Sequence, residues 1–182
     1  MDKEGIEHAI SLLLIAIGED VSRDGLVDTP KRVANFYADV LNGYDEDIEK
    51  HIKLFDCSND DMVVIKQIPI YSFCEHHLCP MAGKASIAYI PNGKVIGLSK
   101  LTRIARIFAK RLQIQERLVE QIAVAIDMSV PNKGVAVRLE LEHSCMTIRG
   151  VRTVGASAVS THLTGMFKEN AMTRNEFIEV IK

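Results

Sequence analysis

Apolar residues open the chain at the spacing of a helix face. Ile6, Ala9, Ile10, Leu13, Leu14 and Ile17 fall three and four apart, which predicts a helix over residues 4–18. Thr29-Pro30 announces a second helix, with Thr29 as N-cap and proline at the first helical position, running through VANFYADVLNG to a stop near Gly43. A shorter helix is expected over 45–54, and LFDCSNDD reads as a polar linker. From Met62 the pattern changes. MVVIKQIPIYSF and KASIAYIPNGKVIGL are β-branched and partly alternating, with Pro91-Asn92-Gly93 as a turn. Helical spacing returns at 99–111 and 113–128, ended by Pro131 and Asn132-Lys133-Gly134. In GVAVRLELEHSCMTIRG, Val135, Val137, Leu139 and Leu141 share one face of a strand, and Arg138, Glu140 and Glu142 the other. ASAVSTHLTGMF is rich in strand formers but ambiguous, and TRNEFIEVIK predicts a terminal helix with a Thr173/Glu176 capping box. Helices first, then strand, strand, helix, helix, strand, strand, is the order of an α+β fold with an antiparallel sheet.

Composition narrows the function classes. The 182 residues are 47% hydrophobic and 25% charged, ordinary for a folded domain with its own core. A net charge of −2 gives no basic field for nucleic acid, so a polyanionic ligand needs a local cluster of Lys and Arg. No apolar run approaches a membrane span, and the run Leu12–Ile17 has acidic flanks, unlike a secretory signal. Four cysteines are few for a disulfide scaffold, so a cytoplasmic chain with reduced thiols is expected.

Metal-capable chemistry concentrates in SFCEHHLCP. Cys74 and His77 have the Cys-x-x-His spacing that lets a tight turn bring two ligands to one ion, and a third must come from elsewhere. His143-Ser144-Cys145, at the end of a predicted strand where positions i and i+2 point the same way, offers Cys145. Three ligands rather than four suit a site that keeps a position open for chemistry. The same thiols could instead be packing residues, the reading preferred for Cys57 and Cys79. His76 and His143 are candidates for proton transfer beside a metal, or else simply bond their neighbours. Glu75 has no assigned role. In LSKLTRIARIFAKRLQIQERL, the cations Lys100, Arg103, Arg106 and Lys110 share a helix face, with Ser99 as a natural N-cap. That face is either a phosphate seat at a helix start or a solvated surface.

CEHHLCP, VIGLSKLTRIARIFAKRLQIQERL and HSCMTIRG, with DTPKRVANFY upstream, resemble the signature blocks of the GTP cyclohydrolase I family, in order and over about residues 5–181. The resemblance implies a tunnelling fold: a four-stranded antiparallel sheet with two helices (59–182), preceded by a helical region (1–58), several subunits closing a β-barrel, typically as a decamer of two pentamers. It implies a hydrolase that opens the purine ring of GTP to give 7,8-dihydroneopterin triphosphate and formate, the first step of pterin and folate biosynthesis. Carried over by position, Cys74, His77 and Cys145 match the Zn2+ ligands, and His76 and His143 the acid/base residues. Glu116 matches the guanine anchor with Gln115 beside it, and Ser99, Lys100, Arg103 and Arg149 the triphosphate and ribose contacts. In the family the site lies between subunits. Cys79 and Met81 depart from the family pattern, and the short N-terminus, without the extended leader of animal enzymes, makes a regulatory partner less expected. A scaffold of the same fold that has lost turnover, or an enzyme acting on another purine or pterin, are the competing readings. Intact His76, His143 and Glu116 argue against the first, and the complete phosphate set against the second.

Overall fold

The helical spacing at the start of the chain becomes α1 (Lys3–Ala16) and α2 (Thr29–Val40) in the computed structural model, which describes residues 1–182. Asp2 caps α1 by accepting from the Gly5 N–H at 3.0 Å, and Lys3 Nζ donates to Asn35 Oδ1 at 2.9 Å. Pro30 lies in the first turn of α2 as expected, but Asp28 rather than Thr29 is the N-cap. These helices form one unit, 1–42, and the rest of the chain, 43–182, forms a second. The helical region expected over 1–58 therefore spans the first unit and the opening of the second.

That opening is not helical. Residues 45–54 contain one 3-10 turn, Glu49–His51, because Asp47 Oδ1 takes the Glu49 N–H at 3.0 Å and offers the backbone an alternative to a helical turn. The expected linker contributes β1 (Leu54–Asp56), antiparallel to β4 (Lys94–Ile96).

The main sheet is built from β2 (Val63–Cys74), β3 (Pro80–Pro91), β6 (Asn132–His143) and β7 (Ser157–Leu163), all antiparallel. A two-residue strand, β5 (Leu112–Gln113), joins the edge parallel to β2, giving the order β5-β2-β3-β6-β7. The α+β reading and its four long strands hold. The ambiguous ASAVSTHLTGMF becomes β7 and the start of a short helix, α6 (Gly165–Glu169).

Helices α3 (Leu98–Ala109) and α4 (Gln115–Ser129) cover one face of this sheet. Leu101, Ile104, Leu118, Ile122 and Ile126 pack on Ile70, Ile87, Tyr89, Val135, Val137, Leu139 and Leu141, a fully dry layer. Truncating one such Leu or Ile to Ala costs about 2–5 kcal/mol. The opposite face is thinner. There Ala88, Ile90 and Ala136 meet Phe167 of α6 and Phe177 and Ile181 of α7 (Ala171–Ile181). Asn170, not Thr173, caps α7, accepting from the Met172 and Thr173 N–H groups. Gly97 rather than Ser99 precedes α3, with no side-chain cap.

One irregularity sets the phase of the site. Ile65 pairs with Ile87 and Ile68 with Ala85, so β2 uses three steps where β3 uses two. The bulge centres on Gln67, a non-glycine residue at φ 63. It moves the inward positions from odd to even, so Ile68, Ile70, Ser72 and Cys74 all turn inward. Without that extra residue Cys74 would point to the other face.

Candidate metal centre and active site

The site gathers where β2 ends, β6 ends and α4 begins. After Cys74 the chain turns through Glu75, His76, His77 and Leu78. Leu78 N–H bonds back to Cys74 O at 2.9 Å, and Cys74 N–H takes Cys79 O at 2.8 Å, closing the hairpin into β3. Leu78 sits at φ 54, the left-handed conformation such a turn needs. On its other side, Glu75 N–H donates to Gln113 O at 3.0 Å, extending the parallel pairing of β2 with β5.

Across the sheet, His143 is the last residue of β6 and pairs with Met81. The strand does not run on to Cys145 as the sequence suggests. It breaks into a helical turn, α5 (Ser144–Thr147), and the turn rather than strand alternation brings the thiol round. The outcome for ligand geometry is the one expected. Ligand atoms of Cys74, His77 and Cys145 all lie within 4.8 Å of one another, with Cys74 Sγ 3.8 Å from His77 Nδ1. Tetrahedral zinc at ordinary bond lengths places S and N roughly 3.6 Å apart. The donor set, two thiols and an imidazole, therefore fits a soft, tetrahedral divalent ion. Burial first, and then the neighbouring thiols of Cys74 and Cys79, push the Cys145 thiol above its ordinary 9.0. A thiol held up in this way keeps its proton until a bound cation displaces it, the proton passing to water or a base. Cys79 stands near enough to add to that push but is outside the ligand group.

Both candidate proton carriers flank the group. His76 Nδ1 is 3.8 Å from Cys74 Sγ. His143 Nε2 is 2.7 Å from Gln115 Oε1, while Gln115 Nε2 donates to Ala158 O at 2.9 Å. With its amide hydrogens so used, Gln115 must accept, so His143 carries its proton on Nε2 and presents a bare Nδ1. Burial depresses the His143 pKa below 6.5, partly offset by Glu116, which raises it from the exposed first turn of α4. Arg149 Nη1 lies 2.6 Å from His77 Nε2.

One chain does not assemble every expected residue. Cys74, His76, His77, His143, Cys145, Gln115, Glu116 and Arg149 come together. Ser99, Lys100 and Arg103 do not. α3 runs from them towards β5, which lies beside Cys74, so Lys100 is nine residues, roughly 14 Å of helix, up the axis from the end nearest the metal group. The apolar face of α3 is buried as predicted and its cations lie along the outer face.

Glu75, which the sequence leaves without a role, forms an ion pair with Arg117 on α4. The Arg117 guanidinium holds its carboxyl below the usual carboxylate range. Nothing in the spacing marks this pair. Its only trace is that both residues lie inside the motif blocks.

The family model for GTP cyclohydrolase I matches residues 6–182. GTP cyclohydrolase 1 of Bacillus subtilis is 49% identical over the whole chain and 97% of its own length, and that of Clostridium kluyveri 47% identical over the whole chain and 99% of its own. Among solved structures, the archaeosine synthase QueF-Like in the apo form aligns with 57% of this chain and 93% of its own at 17% identity, with a TM-score of 0.46.

Proposed function

The chain belongs to the GTP cyclohydrolase I family, a hydrolase converting GTP in the first step of pterin and folate biosynthesis, and from that premise we propose how its residues divide the work. The product is 7,8-dihydroneopterin triphosphate, with formate released. Cys74, His77 and Cys145 hold one Zn2+ per subunit, and the observation that carries this is their convergence within 4.8 Å from two distant segments. With three protein ligands and an open position, such an ion supplies Lewis acidity and a nucleophile at neutral pH, by lowering the pKa of water to about 7.

The chain's own groups do the rest. Glu116 accepts two hydrogen bonds from the guanine ring N–H and exocyclic amine, a pairing adenine lacks. His76 serves the proton transfers at the imidazole end of the purine. His143, locked by Gln115 with Nδ1 bare, accepts a proton during ring opening and returns it later. Arg149 now bonds His77 Nε2; when His77 uses Nδ1 as a ligand its ring proton moves to Nε2, which a guanidinium cannot accept. Arg149 then turns to another acceptor, and triphosphate oxygens are the natural one. Ser99, Lys100 and Arg103, too far along α3 to serve their own metal group, hold the triphosphate at a site completed by a neighbouring subunit. The sheet, open along β2 beyond β5 and along β7, is suited to closing a barrel with further copies in a homodecamer of two pentamers. No helix is long and apolar enough to cross a membrane, and a cytoplasmic location suits a site built on thiols.

Zinc-loaded protein should turn GTP into a product that fluoresces after oxidation, with about one zinc per subunit. Metal-replete protein that binds GTP and yields no product would instead identify a scaffold. Glu116→Ala should lower kcat/KM for GTP roughly 100- to 10,000-fold, two charged hydrogen bonds being lost at about 1.5–3 kcal/mol each. Unchanged discrimination between GTP and ATP in that variant would remove Glu116 from guanine recognition.

A further inference from the structure

A single guanidinium joins the metal turn to the helix that carries the guanine anchor. Arg117, on the first turn of α4, gives Nη2 to both the Glu75 carboxylate and Leu112 O (3.1 Å for the latter), and Nε to Gln113 Oε1 at 3.1 Å. Gln113 is almost fully buried, and its Nε2 donates to Phe108 O at 3.0 Å and Gln121 Oε1 at 2.8 Å. The fork is therefore held rigid from behind. Its one free-standing partner is Glu75, which lies between Cys74 and His76 and whose N–H is bonded to Gln113 O. The two residues before Arg117 are Glu116 and Gln115, and Gln115 bonds His143. Direct bonds thus run from the Cys74–Cys79 turn through Glu75 and Arg117 to the start of α4, and on to His143 at the end of β6.

We propose that Arg117 and Glu75 are a positioning pair that sets the angle of the metal turn against the guanine-recognition end of α4. The proposal rests on the reading of Cys74, His77 and Cys145 as metal ligands and Glu116 as guanine anchor. Stability does not explain the pair, because both side chains are about one-third exposed (38% and 33%) and such ion pairs add little to folding. Geometry does. A planar fork with carboxylate, carbonyl and amide acceptors defines an orientation, which a lysine point charge would not. The reacting carbon must lie against the metal while guanine is held by Glu116, so an error of about 1 Å between the two supports costs about 100-fold in rate.

The test compares wild type with Glu75→Gln, Arg117→Met, Arg117→Lys and the double variant Glu75→Gln/Arg117→Met. Co2+ titration is followed by its thiolate charge-transfer and ligand-field bands, GTP turnover is measured with zinc, and folding is followed by thermal midpoint. The expected result is a roughly 10- to 100-fold lower kcat with KM for GTP near wild type, altered Co2+ ligand-field bands, and a nearly unchanged midpoint. Arg117→Lys should fail to restore kcat, and the double variant should be no worse than the poorer single one. Wild-type kcat and bands in the single variants would overturn the proposal, as would losses that multiply in the double variant. If Arg117→Met does not fold, Glu75→Gln decides, since it leaves the Arg117 bonds to Leu112 and Gln113 intact. Failure of the underlying reading looks different: wild type without a thiolate charge-transfer band, or a Cys145→Ala protein that keeps it, refutes the ligand set whatever the pair does.

Discussion

The two halves of the metal centre are built differently. The Cys74–Cys79 half is closed by Cys74 N–H to Cys79 O, runs straight into β3, and is bonded outward to β5 through Gln113 and to α4 through Arg117. The Cys145 half is bonded mostly to itself. Ile148 N–H takes Ser144 O, Thr153 N–H takes Met146 O, and Arg152 N–H takes Arg149 O, while Ile148, Val151 and Val154 stand 70–85% exposed. Arg149 to His77 is a side-chain tie back to the first half. The first half supplies a fixed seat, and the second offers Cys145, which touches the core at the start of a segment whose later residues have little packing of their own. An ion held by Cys74, His77 and Cys145 would then be a fastener as well, because it would bind the loosely held segment to the rigid one.

The largest expected effect comes from cutting that fastener. Cys145→Ala should lose bound metal and bring GTP turnover to background, whereas Cys79→Ala keeps both; equal metal loss in the two would put the wrong thiol in the ligand set. A change to the rigid side should appear as stability instead. At Gly83, on β3, an added Cβ would run into Glu140 O and the Leu141 backbone on β6. Gly83→Ala should therefore cost about 1–3 kcal/mol in urea unfolding, and an unchanged midpoint would mean that the strands yield. Chelation should separate the halves directly. By hydrogen exchange, amides across 146–154 should lose protection while those of 74–79 keep theirs. Uniform loosening would erase the distinction.

The smallest effect lies away from both halves, where Lys133 lowers the Asp60 pKa below its ordinary 3.8 through a hydrogen bond and then charge. A carboxyl with a depressed folded pKa stabilises above its unfolded value and ceases to do so as pH falls through the folded one. Lys133→Ala should thus lower the urea midpoint slightly at pH 7, with the difference closing below pH 3.8. A difference that widened on acidification would contradict that sign.

Much was legible in the residues alone. Periodicities of 3.6 and 2 are local properties, so α1, α2, β2, β3, α3, α4 and β6 follow from side-chain spacing, and a buried layer such as Val135, Val137, Leu139 and Leu141 is written in alternation. The grouping of Cys74, His77 and Cys145 was open to packing as well as to metal on spacing alone, and the family resemblance singled it out; the fold brings the three ligand atoms within 4.8 Å. Where the structure departs from periodicity, short-range bonds compete with it. The Asp47 side chain undid the helix expected over 45–54, and the α5 turn replaced the strand expected through Cys145.

Tertiary structure alone decided how these pieces meet. The bulge at Gln67 chose which face Cys74 occupies, a choice no alternation pattern contains, because it depends on how β2 registers with β3. The Glu75–Arg117 pair and the Gln115–His143 bond join residues 42 and 28 positions apart in the chain. No local period relates such residues; only the packing of α4 across the ends of β2 and β6 does. The sequence determined which chemistry is present, since that depends on residue type. The fold determined its orientation, since hydrogen bonds act over a few ångströms and only packing brings distant residues within that range.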